Sequence, residues 1–302
     1  MNLRRVPVRR AVTVLLVTAG LGTTAAITAA YLRGTSIPLL EPKGPIAAEE
    51  EQLILVAAAL SLFVLVPVFA LAITFAIRYR EGNTDAKYSP TLTNSPRIEA
   101  AWWILPSALI GILAVIGWSS AYTLDPFQPL TSATKPLAIE VVALDWKWLF
   151  IYPAQHIACV NEMVIPETTP INLSLTSDAP MNSFWIPQLS GQIYAMPGMQ
   201  TQLHLEASSS GTFNGTTANL SGVGFSGMRF QTKSTPSQDF QQWVLRTERS
   251  PTSLSLTQYQ ALARPTTNDP VSCYSNADPS LFASIIARYM APTGGHGMRP
   301  TP

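Results

Sequence analysis

Two long apolar runs dominate the first half of the chain. Leu53 to Ile77 is a run of 25 residues without a charged side chain, and Ala100 to Leu124 is a second run of the same length. Each run is long enough to cross a hydrocarbon core of about 30 Å, which takes roughly 20 residues of helix. Because a backbone in lipid must satisfy its own hydrogen bonds, both runs are predicted to be membrane-spanning helices, with Pro67 and Pro106 as local kinks.

A third apolar run, from Ala11 to Ala30, follows a start that contains four arginines. The basic start, the short apolar stretch and the small residues at its end predict a secretory signal peptide. An uncleaved third span is the alternative interpretation of the same residues.

The loop between the two long runs is basic. It carries Arg78, Arg80, Lys87 and Arg97, whereas the segment before the first run is rich in glutamate. Short basic loops stay on the cytoplasmic side of a membrane. The loop is therefore predicted to be cytoplasmic, and everything from about Asp125 onward is predicted to lie outside the cytoplasm.

The pattern changes after Leu124 to short strand-like segments. Leu137–Leu144 and Trp146–Tyr152 are rich in β-branched and aromatic residues, while Ile171–Thr176 and Gln200–Glu206 alternate apolar and polar positions. Short strands separated by Pro, Gly, Asn and Ser turns predict an antiparallel β-sandwich.

From Ser237 the pattern becomes helical, with further helical stretches at 256–263 and from Asp278. Asp278 is a predicted N-cap, with Pro279 at the first helical position. The fold class is accordingly membrane α + β: a two-helix transmembrane hairpin, a β-sandwich and a C-terminal helical segment.

Composition narrows the classes of function. The chain is 47% hydrophobic and only 12% charged, whereas a soluble domain carries roughly 25% charged residues. Its 19 basic residues nearly cancel its 18 acidic ones, so no basic field favours nucleic acid as a partner. Two cysteines and three histidines leave few side chains for a soft-metal site.

Five segments in the second half of the chain carry a family resemblance. They are Asp145–Pro153 (DWKWLFIYP), Met181–Phe184 (MNSF), Gln192–Met196 (QIYAM), Gly198–Thr201 (GMQT) and Gly224–Met228 (GFSGM). Together with two preceding spans, these segments resemble subunit II of the haem–copper oxidases, in its ubiquinol oxidase branch. The resemblance covers about residues 38–290 and implies a cupredoxin-like fold for the predicted sandwich.

In the cytochrome c oxidase branch of this family, the domain holds a two-copper electron-entry centre. One loop supplies a histidine and another supplies a Cys-x-Glu-x-Cys-x-x-x-His-x-x-Met run. At the matching positions this chain has Asn182 for the first histidine, Thr217 and Ser221 for the cysteines, Asn219 for the glutamate, Phe225 for the second histidine and a retained Met228. Copper needs the thiolates and imidazoles that are missing here, so no metal or other cofactor is expected in this chain.

The resemblance implies a non-catalytic subunit II of a proton-pumping terminal ubiquinol oxidase in a bacterial inner membrane, with its C-terminal domain in the periplasm. Subunit I would carry haems and copper and reduce oxygen to water, with membrane ubiquinol as the electron donor. Subunits III and IV and membrane lipid are the other expected partners, and cytochrome c is not. Two alternatives stay open: subunit II of a cytochrome c oxidase, and a membrane-anchored binding module.

Glu99 lies at the start of the second span. An acidic residue at a helix N-terminus is stabilised by the helix dipole, and this interpretation needs no function. The resemblance implies another role, because a subunit II glutamate at this place lies at the mouth of a proton channel in haem–copper oxidases. Glu99 is therefore a proton-entry candidate.

Trp146 and Trp148 alternate along one predicted strand and are expected to share a face. Core packing is one interpretation of the pair, and docking against subunit I is the other. Cys159 and Cys273 are a candidate disulfide in an oxidising compartment, but the sequence does not place them within bonding distance.

These features divide the chain into a signal peptide at 1–30, a periplasmic N-terminal segment at 31–52, spans at 53–77 and 100–124, a cytoplasmic loop at 78–99, a cupredoxin-like domain at 125–236, a C-terminal helical region at 237–291 and a disordered tail at 292–302.

Overall fold

The structure is a computed structural model that describes residues 37–81, 83–84, 95–132 and 134–290. The predicted signal peptide and the predicted disordered tail lie outside these residues. The chain divides into two units, residues 1–41 and residues 42–302. The described part of the first unit contains a short 3₁₀ turn, Pro38–Leu40.

Two long helices open the second unit, α1 at Pro45–Arg78 and α2 at Pro96–Thr123. Each begins with proline in its first turn and contains one further proline, Pro67 or Pro106. Their 34 and 28 residues correspond to about 51 and 42 Å at helical rise. Both are long and apolar enough to cross a membrane, and their apolar windows are not buried within the protein.

The described chain after α2 forms eleven strands. They are β1 Leu137–Leu144, β2 Lys147–Tyr152, β3 Ile157–Val160, β4 Glu162–Pro166, β5 Ile171–Ser177, β6 Asn182–Ile186, β7 Ser190–Ala195, β8 Thr201–Leu205, β9 Gly211–Thr217, β10 Arg229–Thr235 and β11 Ser272–Tyr274. One sheet has the order β11-β3-β2-β1-β5-β8 and the other β4-β10-β9-β6-β7. Neighbouring strands are antiparallel except in the pairs β1–β5 and β4–β10.

The two sheets enclose one apolar core, and the C-terminal region builds a second core on the outside. Alternate residues of β1 divide between them: Ile139 and Val141 face the first, and Val142 and Leu144 face the second. Strand β2 also lies between the two cores, so all six of its residues are buried. The predicted fold class, two apolar helices followed by a cupredoxin-like sandwich and a helical C-terminal segment, is confirmed.

Up to residue 290, where the described part of the chain ends, three helices follow β10: α3 at Ser237–Glu248, α4 at Leu256–Leu262 and α5 at Leu281–Met290. The helix predicted from Asp278 begins instead at Leu281. Asp278 accepts hydrogen bonds from the backbone and hydroxyl of Ser280, which forms a turn ahead of the helix. The sequence pattern, which placed the first helical residue at Pro279, therefore located the start of this helix two residues early.

A disulfide joins Cys159 of β3 to Cys273 of β11, which are partners in antiparallel register. The two residues are 114 positions apart in the sequence. This distance is the reason that sequence alone left the pairing open. The bond ties the C-terminal region to the edge of the six-stranded sheet.

The start of α1 is fixed against the sandwich by a close backbone contact. Lys43 on one side of Gly44 donates its backbone N–H to Gln188 at 2.7 Å and accepts one from Ser208 at 2.8 Å. A Cβ atom on Gly44 would lie 2.3 Å from the backbone oxygen of Glu206. The backbone just before α1 thus passes so close to the sandwich that only glycine fits at position 44.

We expect the substitution Gly44→Ala to lower the free energy of unfolding of the purified chain in detergent by about 1–3 kcal/mol, because the backbone must move to admit the methyl group. Denaturant unfolding followed by tryptophan fluorescence measures this loss. Gly111→Ala is the matched control, since a Cβ atom there meets nothing within 4 Å. Equal stability of the two variants would contradict the close contact.

Candidate functional site: the loop end of the sandwich

Four connections meet at one end of the sandwich, which we call the loop end. They are the β1–β2 turn at 145–146, the β5–β6 loop at 178–181, the β7–β8 loop at 196–200 and the β9–β10 loop at 218–228. The sheet registers bring them together, because β1 and β5 are parallel while β2 and β8 run in the opposite direction. We count the strand residues that border these connections, Asn182 and Thr217, as the base of the loop end. With them, the loop end contains all six positions that the sequence resemblance matched to copper ligands.

Asn182 and Thr217 contact each other in the buried base of the loop end. The Thr217 hydroxyl donates to Asn182 Oδ1 at 3.2 Å, and Asn182 Nδ2 donates to the carbonyl of Pro180 at 2.8 Å. Asn182 is 1% exposed and Thr217 is 4% exposed. The two side chains are therefore hydrogen-bonded to each other at the positions that the sequence resemblance matched to a histidine and a cysteine.

The remaining positions lie around this pair. Asn219 Nδ2 donates to the carbonyl of Met181 at 2.9 Å, which connects two of the loops. Met228 is fully buried in the apolar core. Phe225 begins a single 3₁₀ turn, Phe225–Gly227, and the buried Ser221 hydroxyl has no hydrogen-bond partner among the described residues.

Trp146 covers the β9–β10 loop. Trp146 lies in the turn before β2, with φ of 66°, and not in the strand as predicted. Its side chain still packs against the core cluster that contains Trp148. The indole Nε1 donates to the carbonyl of Ser221 at 3.2 Å. A Cβ atom on Gly224 would lie 2.4 Å from the indole ring, so this loop needs glycine beneath the tryptophan.

Trp148 lies in the sandwich core, with its side chain fully buried. Its ring centroid is 5.2 Å from that of Phe184 and 5.9 Å from that of Phe230. Phe184 and Phe230 are themselves stacked at 4.8 Å. This burial favours core packing for Trp148, while Trp146 keeps part of its surface accessible at the loop end.

Asp178 is the central polar residue of the loop end, and the sequence analysis did not identify it. Its side chain is 4% exposed and accepts hydrogen bonds from the Tyr259 hydroxyl at 2.6 Å and the Tyr289 hydroxyl at 2.7 Å. Arg288 Nη1 lies 2.9 Å from the same carboxylate. Burial, reinforced by the Asp178 charge, raises the pKa of Tyr289 to about 12.

Lys147 makes a second polar connection between the sandwich and the C-terminal region. Its buried ammonium lies 3.2 Å from the carboxylate of Asp269 and donates to the carbonyl of Arg264. Asp145 is close to Asp178, and its pKa is raised mainly by burial and also by the Asp178 charge. Both polar connections depend on long-range contacts that no local sequence pattern indicates.

The proton-entry candidate and two of the histidines lie outside the four connections of the loop end. Glu99 is exposed in the first turn of α2. His204 is buried on β8, and its Nδ1 lies 2.8 Å from Asn172 Oδ1. His156 is in a turn with a positive φ of 53°.

The chemistry of the loop end does not suit copper. Its side chains at the six positions are two amides, two hydroxyls, a phenyl ring and one thioether, and soft thiolates and imidazoles are the ligands that hold copper. Among the described residues, no three His, Cys, Asp or Glu side chains form a group that could hold a metal ion. The residues therefore do not fit a two-copper centre.

The fold and site define a class, a membrane-anchored cupredoxin-like oxidase subunit. Residues 135–235 match the family described as cytochrome c oxidase subunit II, periplasmic domain, and residues 249–293 match the COX aromatic rich motif. The second match coincides with the region that supplies Tyr259, Arg288 and Tyr289.

Curated relatives narrow this class. The chain is 49% identical over 258 residues to cytochrome bo(3) ubiquinol oxidase subunit 2 of Pseudomonas putida, covering 85% of this chain and 82% of the relative. It is 48% identical to the protein of the same description from Pseudomonas aeruginosa, covering 86% and 79%. It is 45% identical to ubiquinol oxidase subunit 2 of Acetobacter aceti, covering 86% and 85%. The chain belongs to the ubiquinol oxidase subunit 2 family.

We expect Thr217→Val to lower the free energy of unfolding by about 1–3 kcal/mol, because the buried Asn182 oxygen loses its donor while the shape of the side chain is kept. The exposed Thr212 of the same strand is the control, and Thr212→Val should change stability by less than about 0.5 kcal/mol. Denaturant unfolding of both variants decides the matter. A Thr217→Val variant as stable as its control would show that this hydrogen bond does not support the loop end.

Proposed function

We propose that this chain is the non-catalytic subunit II of a proton-translocating ubiquinol oxidase, and that its loop end is a copper site that has lost its ligands. The observation that carries the proposal is the hydrogen-bonded Asn182–Thr217 pair, which occupies the base of a cupredoxin-like loop end without any thiolate or imidazole. In this proposal the chain itself holds no catalytic centre. Subunit I carries the haems and copper and reduces oxygen to water.

The side chains of the loop end, which include no copper ligands other than one thioether, also favour ubiquinol over cytochrome c as the electron source. A docked cytochrome c needs a nearby acceptor, and the loop end supplies no residues for one. Electrons then enter the complex from quinol in the membrane. No residue of the loop end supports the alternative that this chain is a cytochrome c oxidase subunit. The named relatives are oxidase subunits, so they do not support the alternative of a membrane-anchored binding module.

We propose a bacterial inner-membrane location, with α1 and α2 as the spans and the sandwich in the periplasm. Exposed Trp102 and Tyr122 lie near opposite ends of α2. The roughly 20 residues between them correspond to about 30 Å, the thickness of a hydrocarbon core bounded by two aromatic belts. The basic residues at 78–99 support a cytoplasmic loop, and a disulfide in the sandwich suits an oxidising compartment.

We propose that the loop end docks on subunit I. Leu220 is 77% exposed and Val223 is 92% exposed in the β9–β10 loop. Met181 and Met199, in two other connections of the loop end, and Met290, the last residue of α5, are exposed as well. Exposed apolar side chains that cluster in this way mark a protein interface. Subunits III and IV complete the proposed complex, and the exposed surfaces of α1 and α2 face neighbouring subunits and lipid.

Oxygen uptake by the purified complex tests the proposed activity. The complex, purified in mild detergent through a tag on this chain, should contain haem and consume oxygen with ubiquinol as donor. Reduced cytochrome c should support no uptake above the rate without donor. Uptake driven by cytochrome c would favour the cytochrome c oxidase alternative, and a chain that purifies alone without haem would favour the binding module.

We expect Leu220→Ser combined with Val223→Ser to reduce the amount of subunit I that co-purifies by at least about tenfold, because two apolar anchors are lost from the interface. The matched control is Leu245→Ser with Val271→Ser, which changes two similarly apolar residues that are 52% and 50% exposed elsewhere on the domain. Haem content per tagged chain measures both variants. Equal haem content in the two would place the interface elsewhere.

Glu99 is proposed to help deliver protons to subunit I from the cytoplasmic side. Glu99→Ala should lower quinol-dependent oxygen uptake about tenfold, since an acidic group that relays protons is removed. Glu81→Ala changes another acidic residue of the predicted cytoplasmic loop and should leave uptake unchanged. Normal turnover and normal proton uptake in the Glu99 variant would leave Glu99 with only the role of stabilising the helix N-terminus.

A further inference from the structure

The disulfide between Cys159 and Cys273 lies where the C-terminal region joins the sandwich. Strand β11 has only three residues and forms the outer edge of the six-stranded sheet. So short an edge strand contributes few ladder hydrogen bonds, and local opening favours such weakly attached segments. Within the described residues, the disulfide is the one covalent cross-link between this region and the sandwich.

The residues around Cys273 connect the disulfide to the loop end. Its carbonyl accepts a hydrogen bond from the Ser250 hydroxyl at 3.0 Å, and the nearby Ala277 donates its backbone N–H to the carbonyl of His156 at 2.8 Å. Six residues separate the end of β11 from the start of helix α5, which brings Arg288 and Tyr289 to Asp178. The short connection between β11 and α5 thus links the disulfide-bonded strand to the helix that supplies two donors to Asp178.

The exposure of the two sulfur-bearing residues indicates when the bond forms. Cys159 is fully buried on β3, beside β11 in the same sheet, whereas Cys273 is only partly buried on the edge strand. An enzyme cannot reach Cys159 once β11 has docked, because thiol–disulfide exchange needs direct access to the sulfur. Oxidation therefore accompanies the docking of β11, with Cys273 as the more accessible partner.

We propose that Cys159–Cys273 is an enzymatically installed disulfide that clasps the C-terminal region onto the sandwich and thereby holds α5 against Asp178. This rests on the periplasmic location proposed above. The oxidant is a protein disulfide of a periplasmic dithiol oxidase. Cys273 attacks that disulfide and displaces one thiolate, and Cys159 then attacks the mixed disulfide. The two thiols of the chain lose two electrons and two protons, and the oxidase leaves as a dithiol.

Thiol labelling in whole cells tests the modification. Free thiols are blocked with N-ethylmaleimide during lysis, and the denatured chain is then reduced and tagged with a maleimide of high mass. Wild-type cells should give two tags per chain only after reduction, and cells without the periplasmic dithiol oxidase should give none. Tags that are absent in wild-type cells overturn the proposal. Tags that persist at the wild-type level without the oxidase overturn its enzymatic part.

Protease treatment of spheroplasts tests the proposed external location independently of the disulfide. A sandwich that is degraded by added protease lies outside the cytoplasm. If its cysteines are then found as free thiols, the disulfide proposal is overturned while the external location stands. A sandwich that is protected overturns the external location on which the proposal rests.

Hydrogen exchange of the full chain in detergent tests the clasp. In Cys159→Ala with Cys273→Ala, amides of α5 should exchange at least about tenfold faster than in wild type, because the open state is no longer restrained. Amides of β5 should keep their protection. Ser272→Ala, which changes the neighbouring β11 residue and leaves the disulfide intact, is the control and should exchange as wild type does.

Reduction of the folded wild-type chain with dithiothreitol covers the case in which the double variant does not fold. The reduced protein should show the same faster exchange in α5 and recover after reoxidation. Unchanged exchange in α5 after complete reduction would show that apolar packing alone holds the helix, and would overturn the clasp.

Discussion

The domain depends on the covering of its six-stranded sheet from both sides. Val142 and Leu144 on β1, with Leu149 and Ile151 on β2, point away from the sandwich core and are buried by the C-terminal region. Burial of each such side chain contributes about 1.5–3 kcal/mol. Without α4 and α5, these residues would form a large apolar face in water. The C-terminal region is therefore part of the domain rather than an appendage.

This covering also shapes the loop end. The same α5 that buries Leu281 and Ile285 against the sheet carries Arg288 and Tyr289 to the Asp178 carboxylate. A buried carboxylate is costly unless hydrogen bonds and an opposite charge compensate for its lost hydration. Packing in one region thus supplies the polar partners that hold the β5–β6 loop next to Asn182.

Much of the fold was predictable because it depends on local patterns. The apolar runs indicated both long apolar helices, and alternation along Ile171–Thr176 indicated β5 nearly to the residue. Trp146 was misplaced because a residue with positive φ ends the strand pattern without any glycine to announce it. The parallel pairing of β1 with β5 follows from tertiary topology, which alternation along a single strand does not encode.

The candidate site was predictable in its residues but not in its contacts. Spacing and resemblance located Asn182 and Thr217, yet their hydrogen bond joins positions 35 residues apart. Asp178 and its partners on α5 are separated by about 110 residues and carry no motif. The disulfide partners are similarly remote. Such contacts form only when the strands are in register, so they are visible in the structure alone.

The central claim is that the loop end is a copper site that has lost its ligands, with Asn182 and Thr217 hydrogen-bonded to each other at its base. Copper analysis of this chain, purified alone in detergent, incubated with copper and freed of excess, tests that claim most directly. The account predicts fewer than about one bound copper ion per ten chains, and no thiolate–copper absorption. About two copper ions per chain, held after removal of the excess, would contradict it.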